Sequence, residues 1–186
     1  PFLPYYDDKR LIRRLTEELS GMGVSYCATC DGAFFKNKTA VVVGGGNMAV
    51  EDAIFLSRIC RKVYLVHRRE ELRAERILQE NLFACENVEI RWNSVAVEIQ
   101  GTECVTGLKI RDVQDATESV IATDGAFIAV GILPNTDKFR NLVKLDEAGY
   151  IVAGEEGITE TPGIFAAGDI RTKMLRQVVT AVADGA

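Results

Sequence analysis

The sequence predicts an α/β fold, in which a parallel sheet with helices is joined by a small antiparallel meander and followed by a shorter second segment. The β-branched run "TAVVV" at 39–43 ends in glycines and is followed by a stretch of helical periodicity. A second buried strand, "KVYLVHR" at 62–68, comes next. A strand, turn, helix and strand in this order form one βαβ unit, whose two strands are parallel.

The helices are predicted from apolar spacing. Leu11, Ile12, Leu15 and Leu19 recur at helical intervals and predict an amphipathic helix over 7–19. The stretch "MAVEDAIFLSRI" predicts the crossover helix of the βαβ unit, and "EELRAERILQENL" at 70–82 predicts another helix. A last helix is expected to begin near Lys173.

The remaining strands are predicted from short apolar runs between turn residues. The runs "VEIRW", "SVAVEIQ", "CVTGLKIRDV" and "SVIATDG" predict an antiparallel meander before a last parallel strand, "AFIAVG". The runs "GYIVAG" and "GIFAAGDI" predict two further short strands. The Gly, Pro and Asn residues of "GILPNTDKF" mark a domain boundary, so we divide the chain into 1–20, 21–133 and 134–186.

Composition excludes several classes of protein. The net charge of -5 over 186 residues lacks the basic excess of a nucleic-acid-binding surface. No apolar run approaches the roughly 20 residues that cross a bilayer, and "PFLPYYDDKR" lacks the order of a signal peptide. Five cysteines without a secretory signal favour the cytoplasm. The first residue is a proline and the last helix stops abruptly, so we expect a piece of a longer protein.

The glycine turn after the first strand fits the dinucleotide-binding pattern G-x-G-x-x-G/A through Gly44, Gly46 and Ala49. The first glycine permits a tight turn, the second lets a pyrophosphate approach the backbone, and the small third residue lets the helix pack on the strand. The helix N-terminus adds backbone N–H donors. The strand–turn–helix–strand context favours a Rossmann-like domain over a turn that binds nothing.

The end of the second strand indicates which dinucleotide is bound. A site for NAD places a carboxylate there to accept from the ribose 2′-hydroxyl. This chain instead has Arg68, Arg69 and Arg73, whose guanidinium groups match a 2′-phosphate. We therefore predict NADPH rather than NADH. The alternative is an exposed helix start in which Glu70 and Glu71 neutralise the arginines.

The pair Cys27 and Cys30, followed at once by Asp31, has three interpretations. A structural zinc site needs about four ligands, and no second C-x-x-C is present. Two inert core cysteines are the second interpretation. The third and favoured one is dithiol–disulfide exchange, with the adjacent carboxylic acid moving the proton. A hydride passes to a disulfide through a flavin, so a flavin is implied as well.

The motifs together resemble the low-molecular-weight thioredoxin reductases from about Gly21 to the last residue. The resemblance rests on "CATCDGAFF", "GGGNMAVEDA", "VHRREELRAE", "GILPNT" and "GIFAAGDIRTKMLRQVVTAVADGA". In that family the NADPH domain carries the redox disulfide and is inserted within an FAD domain, and the proteins form homodimers. The resemblance implies transfer from NADPH through FAD to the disulfide, and then to a thioredoxin-like protein.

The resemblance also assigns roles to residues. Cys27 and Cys30 are implied as the redox disulfide, with Cys30 facing the flavin and Asp31 as the acid. The implied nucleotide and flavin contacts are Gly44, Gly46, Asn47, Met48, Ala49, Arg68, Arg69, Arg73, Gly131, Gly168, Asp169, Arg176 and Gln177. No metal ligand is implied.

Two departures from the family pattern modify these expectations. The first half of the FAD domain is missing and residues 1–20 do not resemble it, so we expect weak or absent FAD binding. Met48 stands where the family has Ser or Thr, which removes a hydroxyl donor and is expected to weaken NADPH binding. The flavoprotein subunit of alkyl hydroperoxide reductase and a non-catalytic nucleotide-binding fragment remain as alternatives.

Overall fold

A computed structural model describes residues 19–131 and 134–186, which belong to two compact units divided between Gly131 and Ile132. The amphipathic helix predicted over 7–19 lies outside the described residues except for its last position. Helices within these two ranges are all too short or too polar to span a membrane.

A five-stranded parallel sheet organises the first unit. Its strands are β1 (Val24–Ser25), β2 (Thr39–Gly44), β3 (Lys62–Val66), β4 (Val88–Arg91) and β8 (Gly125–Ala129), in the order β1-β8-β2-β3-β4. All four pairings are parallel. The predicted α/β class and the βαβ unit are therefore confirmed. The carboxyl ends of β2, β3 and β8 meet at one edge, which is where open parallel sheets bind ligands.

The sheet is buried on both faces, which explains the continuous apolar runs in its strands. On one face Val42 and Leu65 pack among helix residues, while on the other Val41 and Val66 pack against a second sheet. The helical side consists of α1 (Ala28–Asp31), a 3₁₀ turn at Gly32–Phe35, α2 (Asn47–Ser57) and α3 (Arg76–Phe83).

The second sheet is an antiparallel meander of β5 (Ser94–Gly101), β6 (Val105–Asp112) and β7 (Glu118–Ala122). The run "VEIRW" forms a strand as predicted, but its assignment to the antiparallel meander was wrong. This strand, β4, pairs in parallel with β3 and closes the edge of the main sheet. A short apolar run carries no signal of its pairing partner, and the turn at Trp92 and Asn93, where the chain leaves the sheet, was not recognised.

The helix predicted over 70–82 begins later, at Arg76. Residues 68–75 form an irregular segment, here called the arginine loop. The N–H of Arg73 donates to the carbonyl of Gly45 at 2.8 Å, and the carbonyl of Glu71 contacts Nε2 of His67 at 3.0 Å. These tertiary bonds use backbone groups that a helix would pair internally, so helical periodicity is overridden here.

The second unit contains 3₁₀ turns at Asp137–Phe139 and Gly168–Ile170 and one helix, α4 (Val178–Asp184). The strands predicted for "GYIVAG" and "GIFAAGDI" were wrong: Ile151 forms only isolated bridges to Leu145 and Arg171, and Ile158 forms one to Phe165. The last helix begins at Val178 rather than near Lys173, and its start is set by a capping box between Gln177 and Thr180.

A buried ion cluster holds this second unit together. Asp184 accepts from Nε and Nη2 of Arg171 at 2.8 and 2.7 Å and from the N–H of Gly168 at 2.8 Å. Arg171, Lys173 and the Gly168 N–H stabilise the charged form and hold the pKa of Asp184 far below its usual range, with Arg171 the largest cause. The bonds fix the 3₁₀ turn at Gly168 against α4.

Candidate functional site

A disulfide joins Cys27 and Cys30 at the carboxyl end of β1, with their Cα atoms 5.2 Å apart. Cys27 is the N-cap of α1, and its sulfur accepts the N–H of Cys30 at 3.2 Å. Thr29 Oγ1 lies 3.4 Å from the same sulfur. Cys30 is exposed and Cys27 is half-buried. A donor aimed at the sulfur of Cys27 stabilises a thiolate there once the disulfide is reduced.

Asp31 is held beside this disulfide by a serine that the sequence did not single out. Ser25 is buried, and its hydroxyl donates to Oδ2 of Asp31 at 2.6 Å. The hydroxyl oxygen of Ser25 in turn accepts the N–H of Cys27 at 3.1 Å. Ser25 thus links the carboxylate and the first cysteine in one network. Its two-residue strand was too short to predict from periodicity.

The glycine turn lies at the carboxyl edge of the parallel sheet, between β2 and α2. A Cβ at Gly44 would meet Ala49 Cβ at 2.6 Å, so helix and strand approach closely here. Gly46 is the N-cap of α2 and has open space where a side chain would stand. The N–H groups of the first helical turn have no intrahelical partner and can bind an anion. Met48 packs partly against the core, so its side chain leaves these backbone donors in place.

The imidazole of His67 packs against the glycine turn at Gly45. His67 is buried, and a Cβ at Gly45 would overlap its imidazole ring. Burial, together with the nearby charges of Arg73 and Arg69, lowers the pKa of His67, while contacts to the carbonyls of Glu71 and Gly44 oppose the shift. A neutral imidazole therefore packs under the turn. The sequence showed only that this histidine stands at a strand end.

The arginine loop faces the same cleft as the glycine turn. Gly44, Gly45, His67, Arg68 and Arg73 line this cleft. The remaining lining residues are Val66, Ala129 and Val130, at the carboxyl ends of β3 and β8. The structure thus brings two of the three predicted arginines to the turn. Arg69 lies close enough to His67 to influence its pKa but is not among the residues that line the cleft.

Asn47, one of the predicted cofactor contacts, is bonded to the last residue of the arginine loop. Its side-chain amide forms two hydrogen bonds with Glu75, the N-cap of α3. Nδ2 donates to Oε1 of Glu75 at 3.1 Å, and Oδ1 accepts the N–H of Glu75 at 2.9 Å.

Gly131, at the end of the first unit, is exposed and has a φ of 109°, a left-handed conformation that suits glycine.

Four predicted site residues lie in the second unit, around the turn that precedes α4. Gly168 is buried and its N–H is already bonded to Asp184, whereas Asp169 is exposed. Gln177 caps α4 by a capping box with Thr180. Arg176 stacks on the ring of Tyr150 at 4.0 Å, and its Nε is buried without a hydrogen-bond partner among the described residues.

Asp52 lies on α2 in the first unit, and its pKa is raised to about 6 by burial and by the charge of Glu51. The ionised carboxylate is therefore disfavoured in the folded chain. An unfolded Asp titrates near pH 4, so folding is penalised increasingly as pH rises from about 4 to about 6.

We expect Asp52→Asn to stabilise the chain at pH 8, where the wild-type carboxylate is charged, and to have little effect near pH 4. The gain in free energy of unfolding should be about 1 kcal/mol after allowance for the solvent-exposed part of the group. Urea unfolding at the two pH values measures it. Glu103→Gln, a change of an exposed acid outside this helix, serves as the control, and an equal gain for Asp52→Asn at both pH values would contradict the assignment.

Comparison with known proteins places these features in a family. The sequence profile described as pyridine nucleotide-disulphide oxidoreductase matches residues 9–185. The chain belongs to the pyridine nucleotide-disulphide oxidoreductase family. It is 55% identical to a thioredoxin reductase of Listeria monocytogenes over 170 residues, which are 91% of this chain and 53% of that protein. It is 50% identical to a thioredoxin reductase of Bacillus subtilis over 91% of this chain and 54% of that protein.

Solved structures agree with the sequence relatives of this pyridine nucleotide-disulphide oxidoreductase. A thioredoxin reductase crystal structure from Streptococcus pyogenes matches with a TM-score of 0.83 and 46% identity, over 91% of this chain and 56% of that one. The resemblance read from the motifs is therefore confirmed. The chain spans about half the length of the curated relatives that it matches.

Proposed function

We propose that this chain is the pyridine-nucleotide and disulfide portion of a thioredoxin reductase, which passes electrons from NADPH through FAD to the Cys27–Cys30 disulfide and then to a thioredoxin-like protein. One observation supports this most strongly: a disulfide and an arginine-lined nucleotide cleft lie in the same compact unit. A family of nucleotide-disulphide oxidoreductases needs both. A cytoplasmic location agrees with this use of thiols.

The cleft fits a phosphorylated dinucleotide better than NADH. The open space at Gly46 and the helix N-terminus behind it suit the pyrophosphate. Arg68 and Arg73 line the neighbouring wall and would neutralise a 2′-phosphate. With Met48 packed on the core, the backbone donors carry this contact without help from a side-chain hydroxyl.

The reduced disulfide would act by thiol–disulfide exchange. The Cys27 thiolate attacks a disulfide of the partner and forms a mixed disulfide, and Cys30 then displaces the partner as its dithiol. Two electrons leave this chain, and the Cys27–Cys30 bond forms again. Asp31, held by Ser25, accepts the proton of Cys30 as that thiol becomes the second nucleophile.

The second unit supplies residues that would contact FAD. FAD, when bound, supplies the two-electron carrier between a nicotinamide hydride and a disulfide. The exposed carboxylate of Asp169 and the unpaired Nε of Arg176 would be available to it. Gly168 would contribute only its small size, because its N–H is bonded to Asp184.

An anaerobic NADPH titration tests the proposal, with FAD added in large excess because its binding to this chain is expected to be weak. We expect two new thiols per chain, located at Cys27 and Cys30 by differential alkylation and mass spectrometry. Burial raises the pKa of Cys60 to about 11, so that cysteine should stay unlabelled in the folded chain. Cys30→Ser should give no NADPH-dependent thiol pair, and NADH should be a poorer donor. Thiols that do not exceed those of an FAD-only control would contradict the proposal.

A further inference from the structure

Three contacts join the glycine turn to the arginine loop and make them one hydrogen-bonded unit. The N–H of Arg73 donates to the carbonyl of Gly45 at 2.8 Å. The imidazole of His67 packs under Gly45 and bonds to the carbonyl of Glu71 at 3.0 Å. The paired hydrogen bonds between Asn47 and Glu75 then connect the first residue of α2 to the N-cap of α3. All three contacts use at least one backbone atom, and only the Asn47–Glu75 pair depends on exposed side chains.

We infer that Asn47 and Glu75 are positioning residues that set the discrimination of the cleft for a 2′-phosphate, and that this positioning, rather than a contact to the cofactor, is the main role of Asn47. The inference rests on the proposed nucleotide function. Glu75 engages Oδ1 and one of the two N–H groups of Nδ2 and so fixes the orientation of the Asn47 amide, which leaves a phosphate only the remaining N–H.

The pair also has an electrostatic consequence. The arginine loop contains the carboxylates of Glu70, Glu71 and Glu75 among its guanidinium groups. A carboxylate that moved into the cleft would repel a phosphate dianion and would compete for the arginines. Asn47 holds the carboxylate of Glu75 at the start of α3, and Gln114 holds that of Glu70 by a bond of 3.0 Å from Nε2 to Oε1. Neutral amides thus keep two of the three acids in place while the arginines line the cleft.

The two cofactors respond differently to this pair. NADH and NADPH share the pyrophosphate and differ only in the 2′-phosphate, so a residue that positions the arginine loop affects NADPH selectively. A direct pyrophosphate contact would affect both equally. The ratio of the two dissociation constants therefore separates the two roles.

The test measures that ratio by calorimetry for the full chain and its variants. We expect Asn47→Ala to lower the preference for NADPH about tenfold, mainly through weaker NADPH binding. Glu75→Gln keeps a carbonyl acceptor for the Asn47 amide and should stay near wild type. Asn47→Asp places two carboxylates together and should lower the preference. The double variant Asn47→Asp/Glu75→Gln restores a donor opposite a carboxylate and should regain it.

Controls keep the outcomes distinct. Glu80→Gln removes the negative charge from the exposed Arg76–Glu80 pair on the same helix and should leave the ratio unchanged. Circular dichroism confirms that each variant is folded. A wild-type preference that survives Asn47→Ala, or an equal loss for both nucleotides, overturns the inference while the proposed function stands. A wild-type chain without any preference for NADPH overturns the proposed function and this inference with it.

Discussion

Replacing both Arg68 and Arg73 by alanine should abolish most of the preference for NADPH over NADH. Both residues line the cleft at the glycine turn, where a 2′-phosphate bound to the adenosine ribose would need cationic donors. A hydrogen bond to a charged group contributes about 1.5–3 kcal/mol, so losing two corresponds to roughly a hundredfold or greater weakening of NADPH binding. NADH binding should change by far less. Calorimetric titration with each nucleotide measures both effects.

Arg69→Ala is the matched control for this pair, because Arg69 belongs to the same loop but does not line the cleft. Its effect on the preference should be smaller than that of either cleft arginine. Titration with 2′,5′-ADP and 5′-AMP isolates the 2′-phosphate from the nicotinamide half. Should the double variant bind NADPH as tightly as the wild-type chain, the arginine loop is not the 2′-phosphate site.

Asp31→Asn should slow dithiol exchange about a hundredfold, because an amide can accept the hydrogen bond from Ser25 but cannot take up a proton. Reduced chain is mixed with an oxidised thioredoxin, and the loss of its thiols is followed by quenched-flow alkylation. The folded structure should be retained, since asparagine has almost the same shape. The defect should therefore appear in the rate and not in the final extent of exchange.

Asp124→Asn provides the comparison for this rate. Asp31 and Asp124 both line a cavity beside the 3₁₀ turn at Gly32–Phe35. The carboxylate of Asp124, however, accepts the N–H of Thr39 at 2.8 Å. We expect its exchange rate to remain close to that of the wild-type chain. Equal slowing by the two substitutions would point to the general charge of the cavity, and Asp31 would lose its assignment as the proton acceptor.

The sequence was sufficient to predict the parts of the fold that local pattern determines. The run at Thr39–Gly44, its glycines and the helix Asn47–Ser57 follow one another along the chain, so their order alone predicts a βαβ unit. The strand Gly125–Ala129 was also predicted as parallel, since its continuous apolar run requires burial on both faces. The cysteine pair and the arginines could be recognised by residue type and spacing.

The features that were missed depend on contacts between distant segments. Asn47 and Glu75 are 28 positions apart, and nothing in either residue type indicates that they pair. Ser25 is an ordinary serine until the fold places its hydroxyl 2.6 Å from Asp31. The delayed start of the helix at Arg76 has the same origin, because the bond from Arg73 to Gly45 is made across the sheet edge and leaves no trace in helical periodicity.

The proposed function depends most on reversible exchange between the Cys27–Cys30 disulfide and a disulfide of a partner protein. The direct measurement is a single turnover without nucleotide or flavin, in which pre-reduced chain is mixed with one equivalent of an oxidised thioredoxin and both proteins are analysed by mass spectrometry. We expect the Cys27–Cys30 bond to re-form as the thioredoxin gains two thiols. We also expect Cys30→Ser to trap a mixed disulfide at Cys27. A thioredoxin that stays oxidised while Cys27 and Cys30 stay reduced would contradict the proposed function.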